Sequence, residues 1–258
     1  QTLLFGGLES IRRNVNRQRK NLKFFEFGNC YYFSPDNHDA ENPIKAYRQK
    51  RHLALLLTGK RVEGSWIHPN EETSFYELKA YVEHIFARVG LDTGMWVAEK
   101  SDNNIFAKGI TVLGRNGKML AEMGIVDRKL QKEFDIAAEV YFADVNWTNV
   151  MRAVRKNKVE YTEISKFPPV SRDLALLIDK SVEFAQVEQV ARQTERKLLK
   201  SIELFDVYEG KNLPEGKKSY AVNFILQDEQ KTLNDKAIEA VMNRLIMNLK
   251  KQLGAELR

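Results

Sequence analysis

The sequence predicts an α+β protein in two parts, each an antiparallel β-sheet with helices packed against it. In the first part, an amphipathic helix is followed by two apolar segments joined by Asn116-Gly117, a dipeptide typical of hairpin turns. In the second part, segments of strand length and of helix length follow one another in the order βαββαβ. Pro168 and Pro169 mark the boundary, because proline lacks a backbone N–H and biases the preceding residue away from helix.

The composition is typical of a globular protein. The chain has 258 residues, of which 43% are hydrophobic and 29% charged, enough for two domains with cores of their own. No apolar run could cross a bilayer and no secretory signal pattern is present, so we expect a cytoplasmic protein without membrane contact. Because Cys30 is single, disulfides within the chain are excluded. The chain starts at Gln1 without an initiator Met, so we expect it to be a piece of a longer one.

The first elements of the chain are a helix and aromatic strands. Residues 1–22 predict a helix whose second half is basic, a pattern that most often marks a solvated helix face. Residues 24–28 and 31–33 predict strands because they are rich in Phe and Tyr. Residues 34–50 predict a surface loop, and residues 52–60 predict a buried strand.

The helix predicted over 74–89 has the clearest boundaries in the first part. Ser74 followed three residues later by Glu77 is a capping-box pattern, and Gly90 stands where a helix C-terminus is expected. A hairpin over 106–113 and 118–125, a strand over 138–143 and a short helix over 147–155 complete an antiparallel sheet flanked by helices.

The second part predicts a ferredoxin-like βαββαβ fold, the split motif of four strands and two helices. The elements are a strand at 174–178, a helix at 184–198, strands at 202–208 and 219–226, a helix at 235–253 and a short strand at 255–257. Asn234 is the expected N-cap of the last helix, and Gly254 its stop.

The sequence shows no pattern of an active site. Four histidines, His38, His52, His68 and His84, lie far apart and share no ligand spacing with a carboxylate, so we expect no metal site. Glycine-rich phosphate-binding motifs are absent, and no pair of acidic residues is spaced as an acid/base couple. We therefore predict no catalytic residue and no cofactor for this chain.

RNA binding is the more plausible function of the second part. A four-stranded sheet with helices on one face leaves the other face free, and the alternation in 220–227 predicts that Ala221 and Asn223 lie on that free face. Cations near that face could hold phosphates, although any one of them could equally be a solvated surface charge. The residues that we predict to contact RNA are Arg172, Lys217, Lys218, Asn223 and Lys231.

The second part resembles the ferredoxin-fold anticodon-binding domain of bacterial phenylalanyl-tRNA synthetase β subunits. The similarity rests on five segments in the family's order. They are Lys166-Phe-Pro-Pro-Val-Ser-Arg-Asp-Leu-Ala175, Leu204-Phe-Asp-Val-Tyr208, Leu213-Pro-Glu-Gly-Lys-Lys-Ser219, Lys231-Thr-Leu-Asn-Asp235 and Gly254-Ala-Glu-Leu-Arg258. The last segment stands where the family's chains end, so the resemblance leads us to expect that Arg258 is the natural C-terminus.

The first part is similar to the catalytic-like module that precedes this domain in the same subunit. Phe24-Phe-Glu-Phe-Gly28 is similar to the family's Phe-Glu-Ile-Gly strand, and Ser74-Phe-Tyr-Glu-Leu-Lys79 to its Asp-Phe-Phe-Asp-Leu-Lys segment. The resemblance implies a class II synthetase fold that has lost its chemistry. Tyr31-Tyr-Phe33 occupies the region where an active class II enzyme has an arginine for the ATP α-phosphate, so charge developing in phosphoryl transfer lacks a stabilising cation.

The resemblance therefore predicts a C-terminal fragment of a phenylalanine–tRNA ligase β subunit. Residues 1–160 would be an N-terminally truncated, inactive class II synthetase-like module, and residues 165–258 the anticodon-binding domain. The implied partners are the α subunit, a second αβ unit giving (αβ)₂, and tRNA(Phe), with ATP and Mg²⁺ used by the holoenzyme. Two alternatives stay open: a synthetase that is active by itself, and an amino-acid-sensing regulatory domain, since such sensors share the βαββαβ order.

Overall fold

A computed structural model describes residues 2–37, 41–157, 161 and 163–258 of the chain. By its internal contacts the chain divides into two compact units, Gln1–Glu160 and Tyr161–Arg258, here named unit 1 and unit 2. Each has its own hydrophobic core. None of the helices in the described ranges is long and apolar enough to span a bilayer.

Unit 1 is built around a six-stranded antiparallel sheet with the strand order β1-β2-β8-β7-β6-β5. A separate two-stranded ribbon pairs β3 with β4. The elements are α1 (Leu4–Val15), β1 (Leu22–Phe33), β2 (Tyr47–Thr58), β3 (Lys60–Val62), β4 (Glu71–Glu72), α2 (Phe75–Arg88), β5 (Trp96–Lys100), β6 (Phe106–Gly114), β7 (Met119–Val126), α3 (Arg128–Glu133), β8 (Val140–Val145) and α4 (Trp147–Ala153).

Helices cover both faces of this sheet. Leu4, Leu8 and Ile11 of α1 lie in one core with Ala54 and Leu56 of β2. The intervening residues of β2, Leu53, Leu55 and Leu57, lie in a second core with α2 and α4. Because successive strand residues point to opposite faces, a strand buried on both sides becomes an unbroken apolar run. This explains the run at 53–57 that predicted a buried strand.

The prediction of a helix over residues 1–22 was wrong in its second half. Helix α1 ends at Val15, and residues from Leu22 onward form β1. Gln18 takes a left-handed conformation with φ of 64°, and the carbonyl oxygen of Asn14 accepts the N–H groups of both Arg17 and Arg19. A left-handed residue cannot continue a right-handed helix, so the chain reverses there.

Other boundaries also shifted. β1 is one strand of twelve residues rather than two short ones, and β2 begins at Tyr47, inside the predicted loop. Strand β5 and helix α3 had no counterpart in the prediction.

The hairpin between β6 and β7 was predicted correctly, but only Gly117 of its turn has a positive φ, and the Gly117 N–H donates to the Gly114 oxygen at 2.8 Å. The loop is therefore the three-residue type, a turn closed by a left-handed glycine.

Only one of the two hydrogen bonds of the predicted capping box forms at the start of helix α2. The Ser74 hydroxyl accepts the N–H of Glu77 at 3.3 Å, as predicted. The Glu77 carboxylate does not return to Ser74, because it accepts from Lys23 Nζ at 2.7 Å and from the Tyr81 hydroxyl at 3.0 Å. At the other end Gly90 has φ of +80°, and the Leu91 N–H donates to the Phe86 oxygen at 2.8 Å, a Schellman-type termination.

Unit 2 has the predicted ferredoxin-like topology. Its sheet has the order β10-β11-β9-β12 with every neighbouring pair antiparallel, and α5 and α6 share one core with the sheet. Gly254 has φ of +62° and stops α6, as predicted. The elements are β9 (Val170–Asp179), α5 (Phe184–Thr194), β10 (Leu199–Tyr208), β11 (Lys217–Leu226), α6 (Asp235–Leu253) and β12 (Glu256–Leu257).

Helix α5 ends four residues earlier than predicted. The Glu195 carboxylate accepts the N–H groups of Lys197 and Leu198, each at 3.0 Å, and it also binds Arg244 at 2.6 Å. Because the N–H groups of Lys197 and Leu198 bind this carboxylate and not carbonyl oxygens of the helix, the chain leaves α5 and begins β10 at Leu199. The Asn234 side chain accepts the Ala237 N–H at 2.9 Å, which confirms it as the N-cap of α6.

The contact between Lys23 and Glu77 joins β1 to α2 and is expected to stabilise unit 1. The Glu77 side chain is only 5% exposed, whereas that of Lys23 is 41% exposed. Replacing the lysine in Lys23→Met leaves a buried carboxylate with one hydroxyl partner, so we expect a loss of about 1–2 kcal/mol in urea unfolding. Lys79→Met is the matched control. It breaks an exposed pair with Glu83 on the same helix and is expected to cost no more than about 0.5 kcal/mol.

Because of the same contact, we expect the contribution of Lys23 to the free energy of unfolding to depend on pH. The hydrogen bond that Lys23 donates to Glu77 raises the pKa of Lys23 above its ordinary value of 10.5. A raised lysine pKa contributes stability that is complete below pH 10.5 and is lost as the pH rises through the raised value. The difference between wild type and Lys23→Met should therefore shrink above that pH, and a difference that grows there would contradict the assignment.

Candidate nucleic-acid interface

The sheet of unit 2 has one covered face and one open face. Tyr220, Val222, Phe224 and Leu226 of β11 are buried in the core beneath the two helices. The alternate residues Ala221, Asn223 and Ile225 are only partly buried. This confirms that the open face is the side of Ala221 and Asn223, and its residues are those that a ligand approaching the sheet would meet.

The open face is rich in hydrogen-bond acceptors. Asn223 lies at its centre, opposite Asp173 of β9 on one side and Glu203 of β10 on the other. Its Nδ2 donates to Ser171 Oγ and to Asp173 Oδ1, which fixes the amide. Asp206 follows Glu203 on the same side of β10, opposite Ala221. The centre of this face therefore presents carboxylates and an amide rather than cations.

Three of the five predicted residues are accessible cations at the margins of unit 2. Lys217 lies at the start of β11, on the open side, with its Nζ 3.3 Å from Asp179. Arg172 is exposed near the start of β9, and its guanidinium donates to the neighbouring Ser171 oxygen at 2.9 Å. Lys231 is exposed before α6, and its side chain has no hydrogen bond or ion pair with any residue that the structure describes.

The structure removes Lys218 from this group. Its side of β11 is the covered one, the residue is only 7% exposed, and its Nζ lies 4.6 Å from the centre of the Tyr220 ring. The prediction treated Lys217 and Lys218 alike because both were assigned to a loop. Strand β11 in fact begins at Lys217, so the alternation of the strand separates the two side chains.

One exposed aromatic residue beside the open face was missed by the sequence analysis. Phe205 is 60% exposed, and the pairing of β10 with β11 is irregular between Leu204 and Asp206. Phe205 is the extra residue of this bulge, so it has no partner on β11. In the sequence, Phe205 stands at a position of the apolar–polar alternation that points away from the core. Strand propensity alone would assign a phenylalanine to the core.

In unit 1 the structure brings together one histidine–carboxylate pair that the spacing did not predict. His52 is 1% exposed, and its Nδ1 lies 2.6 Å from Asp144 Oδ1, while its Nε2 lies 3.1 Å from the Tyr32 hydroxyl. The neutral ring with its proton on Nδ1 satisfies both contacts. Burial raises the pKa of Tyr32, with Cys30 and Asp144 adding to the shift, so the hydroxyl keeps its proton. The network is a satisfied buried connection between β1, β2 and β8.

No metal centre is formed within the described ranges, where no three His, Cys, Asp or Glu side chains converge. His68 and His84 lie apart from His52, and His38 lies outside the described residues. Burial raises the pKa of the Cys30 thiol, which is 1% exposed and therefore poorly placed for nucleophilic chemistry. Tyr31-Tyr-Phe33, where an arginine was expected for an active enzyme, forms the end of β1.

The residues that form the ferredoxin-like sheet and its open, polar face match a family of anticodon-binding domains. Residues 165–258 match the family described as "Ferredoxin-fold anticodon binding domain", which defines this part of the chain as an anticodon-binding domain. Residues 1–147 match the family described as "Phenylalanyl tRNA synthetase beta chain CLM domain". The chain belongs to the phenylalanyl-tRNA synthetase β chain family.

Similar curated proteins bear the same description. The "Phenylalanine–tRNA ligase beta subunit" of Bacteroides thetaiotaomicron is 57% identical over all 258 residues of this chain, which cover 32% of that protein. The subunits of Porphyromonas gingivalis and Geobacillus kaustophilus are 48% and 30% identical, with this chain covering 32% and 31% of their lengths. The chain thus spans about a third of these relatives.

Among solved structures, pyrrolysyl-tRNA synthetase from Desulfitobacterium hafniense is similar over 59% of this chain and 47% of its own. The sequence identity is 14% and the TM-score 0.42, too low to support an argument.

Because Asp144 binds His52, we expect two substitutions of Asp144 to lower the free energy of unfolding by different amounts. In Asp144→Ala the buried Nδ1–H loses its acceptor, so we expect a loss of about 1–3 kcal/mol in urea unfolding. Asp144→Asn retains a carbonyl oxygen at the same place and should cost clearly less. Equal losses for the two variants would show that the hydrogen bond does not carry the effect.

Proposed function

We propose that this chain is the non-catalytic C-terminal part of a phenylalanine–tRNA ligase β subunit. Residues 165–258 would bind the anticodon region of tRNA(Phe), and residues 1–160 would be an inactive synthetase-like module that contributes to subunit assembly. The observation that carries the proposal is the match to the anticodon-binding family over a sheet whose open face is polar and unobstructed by its own helices.

The chemistry of the open face suits unpaired bases better than phosphates. Carboxylates such as Asp173 and Glu203 accept hydrogen bonds from the amino groups of bases, and they repel phosphate oxygens. Phosphate contacts then fall to the cations at the margins, Arg172, Lys217 and Lys231. In this arrangement Asn223 contributes its Oδ1, since its Nδ2 is already engaged.

The residues of this chain do not fit ATP and Mg²⁺. No carboxylate cluster suited to a metal occurs among the residues that the structure describes, and β1 ends in Tyr31-Tyr-Phe33 where a phosphate-binding arginine is expected. We therefore assign the ATP- and Mg²⁺-dependent charging step to an α subunit within an (αβ)₂ enzyme of the cytoplasm. ATP–pyrophosphate exchange by this chain alone would contradict the assignment.

The three accessible cations provide a direct test of the RNA interface. We expect the variant Arg172→Ala/Lys217→Ala/Lys231→Ala to weaken binding of labelled tRNA(Phe), measured by fluorescence anisotropy. The slope of log K against log salt should flatten by roughly 0.7–0.9 for each phosphate that is no longer neutralised. The control Lys236→Ala/Lys250→Ala/Lys251→Ala removes the same charge from exposed positions on or beside α6. Equal weakening by both variants would indicate only a general charge effect.

Binding of phenylalanine by this chain, seen in calorimetry together with unchanged tRNA affinity of the triple variant, would instead favour the amino-acid-sensing alternative. Such a result would contradict the proposed function.

Phe205 tests base stacking independently of charge. Its substitution in Phe205→Ala should weaken binding of the tRNA by roughly 1–3 kcal/mol if a base stacks on the ring, without altering the salt slope. Val207→Ala, at an exposed position of the same strand, is the control for strand stability. A changed salt slope, or no loss of affinity, would argue against stacking at Phe205.

A further inference from the structure

A group of cations in unit 1 remains without a role in the function proposed above. Five of the nine residues from 12 to 20 are basic, and none is acidic. They lie on the last turn of α1 and on the chain reversal that follows it, and all five are exposed. We name them the basic cluster: Arg12, Arg13, Arg17, Arg19 and Lys20.

The basic cluster is distinguished by its density, because single exposed cations such as Lys231 also lack an acidic partner, whereas here five cations without one lie within nine residues. Lys79, Arg192 and Lys200 each pair with a glutamate within 3.0 Å. In the described ranges, no side chain of the basic cluster forms a hydrogen bond or an ion pair. Lys23, the next cation along the chain, is held by Glu77 and does not belong to the group. Charges at this density repel one another, so the arrangement costs free energy unless an anion binds.

Three members of the basic cluster, Arg12, Arg13 and Arg17, line a concave surface, and the backbone that carries the others is held in place. Residues 9, 12, 13, 16 and 17 share one side of α1 and its end, and they line a cavity of about 410 Å³. The backbone beyond the helix is fixed by the two N–H groups on the Asn14 oxygen and by Asn21, whose Oδ1 accepts the Lys60 N–H at 2.8 Å. A fixed backbone reduces the entropy that is lost when a ligand is bound.

The helix dipole accounts for only part of the cluster. Arg12 and Arg13 lie in the last turn of α1, where cations are favoured by the carbonyl groups of the helix end. Arg17, Arg19 and Lys20 lie beyond that turn, where this effect has fallen off. Their charges therefore require another explanation.

The geometry points to a phosphodiester backbone as the ligand. We infer that the basic cluster is a second RNA-backbone site of this chain, an inference that rests on the proposed tRNA binding and places a further contact outside residues 165–258. Arginine forks bind phosphate oxygens in pairs, and several arginines in a row suit a chain of phosphates. Glu9 at the edge of the cavity disfavours a single enclosed anion.

An acidic protein fits the surface less well than RNA does. The cavity lining consists of Glu9, Asn16 and arginines, with no apolar side chain, whereas protein interfaces have an apolar centre. Phe5, one turn before Glu9 on α1, is 45% exposed but stacks on Phe134, and more exposed apolar side chains of unit 1 lie on β1, for example Phe25 and Phe33. A sequence-independent phosphate contact needs no apolar centre.

The test uses the full 258-residue chain, labelled tRNA(Phe) and a salt titration by fluorescence anisotropy. We expect Arg12→Gln/Arg13→Gln/Arg17→Gln to raise Kd about tenfold or more near 0.1 M salt and to flatten the salt slope by roughly 2 units. The matched control Lys129→Gln/Lys132→Gln/Lys156→Gln removes three exposed positive charges from the same unit and should change Kd less than about twofold. Unchanged Kd and slope in the arginine variant would overturn the inference.

A gain-of-affinity variant guards against loss of folding. Glu9→Gln removes the acidic group beside the arginines and should tighten tRNA binding about threefold. Weaker binding by Glu9→Gln would overturn the inference. So would unchanged tRNA affinity of the arginine variant combined with weaker binding of poly-L-glutamate, because that result would assign the surface to an acidic protein.

The outcomes separate this inference from the proposed function. Loss of affinity in the arginine variant, with none in Arg172→Ala/Lys217→Ala/Lys231→Ala, would support the basic cluster and contradict the proposed margins of unit 2. The reverse result would support unit 2 and overturn the inference. No tRNA binding by the unsubstituted chain would overturn both.

Discussion

One-sided burial of the four-stranded sheet is the constraint on which the structure of unit 2 depends. Both of its helices, α5 and α6, pack on the same face, so Tyr220, Val222, Phe224 and Leu226 of β11 point that way. The opposite face has no core to form and is free to carry polar groups. Asn223 and its acidic neighbours are accessible for this reason, and Lys218 is buried for the same reason.

The sheet of unit 1 is covered on both faces, unlike that of unit 2, and this is consistent with a module that catalyses no reaction of its own. Helices cover both faces of its six-stranded sheet, and two groups of polar side chains that reach the interior are joined by hydrogen bonds. His52 is held between Asp144 and Tyr32, and Glu77 between Lys23 and Tyr81. Groups that are held in such contacts are poorly suited to exchange protons with a substrate. The densest group of unpaired charge among the described residues of unit 1 is the basic cluster.

The proposed division of labour follows from these two arrangements. Residues 165–258 offer acceptors for bases and cations for phosphates, and no three metal-ligating side chains converge among the residues that the structure describes. Belonging to the phenylalanyl-tRNA synthetase β chain family is consistent with both features. The basic cluster adds a way in which the synthetase-like module could contribute to RNA binding without catalysing a reaction.

The sequence by itself determined the elements whose signals are local. Asn234 and Gly254 delimit α6 because a cap and a left-handed stop depend on a few neighbouring residues, and the motifs of 165–258 identify the family. Only the tertiary structure decided which side chains meet. The start of β11 at Lys217 and the contact between His52 and Asp144 depend on pairing between residues distant in sequence. The alternation from Tyr220 to Leu226 fixes the two faces of β11, but it separates Lys217 from Lys218 only once the strand is known to begin at Lys217.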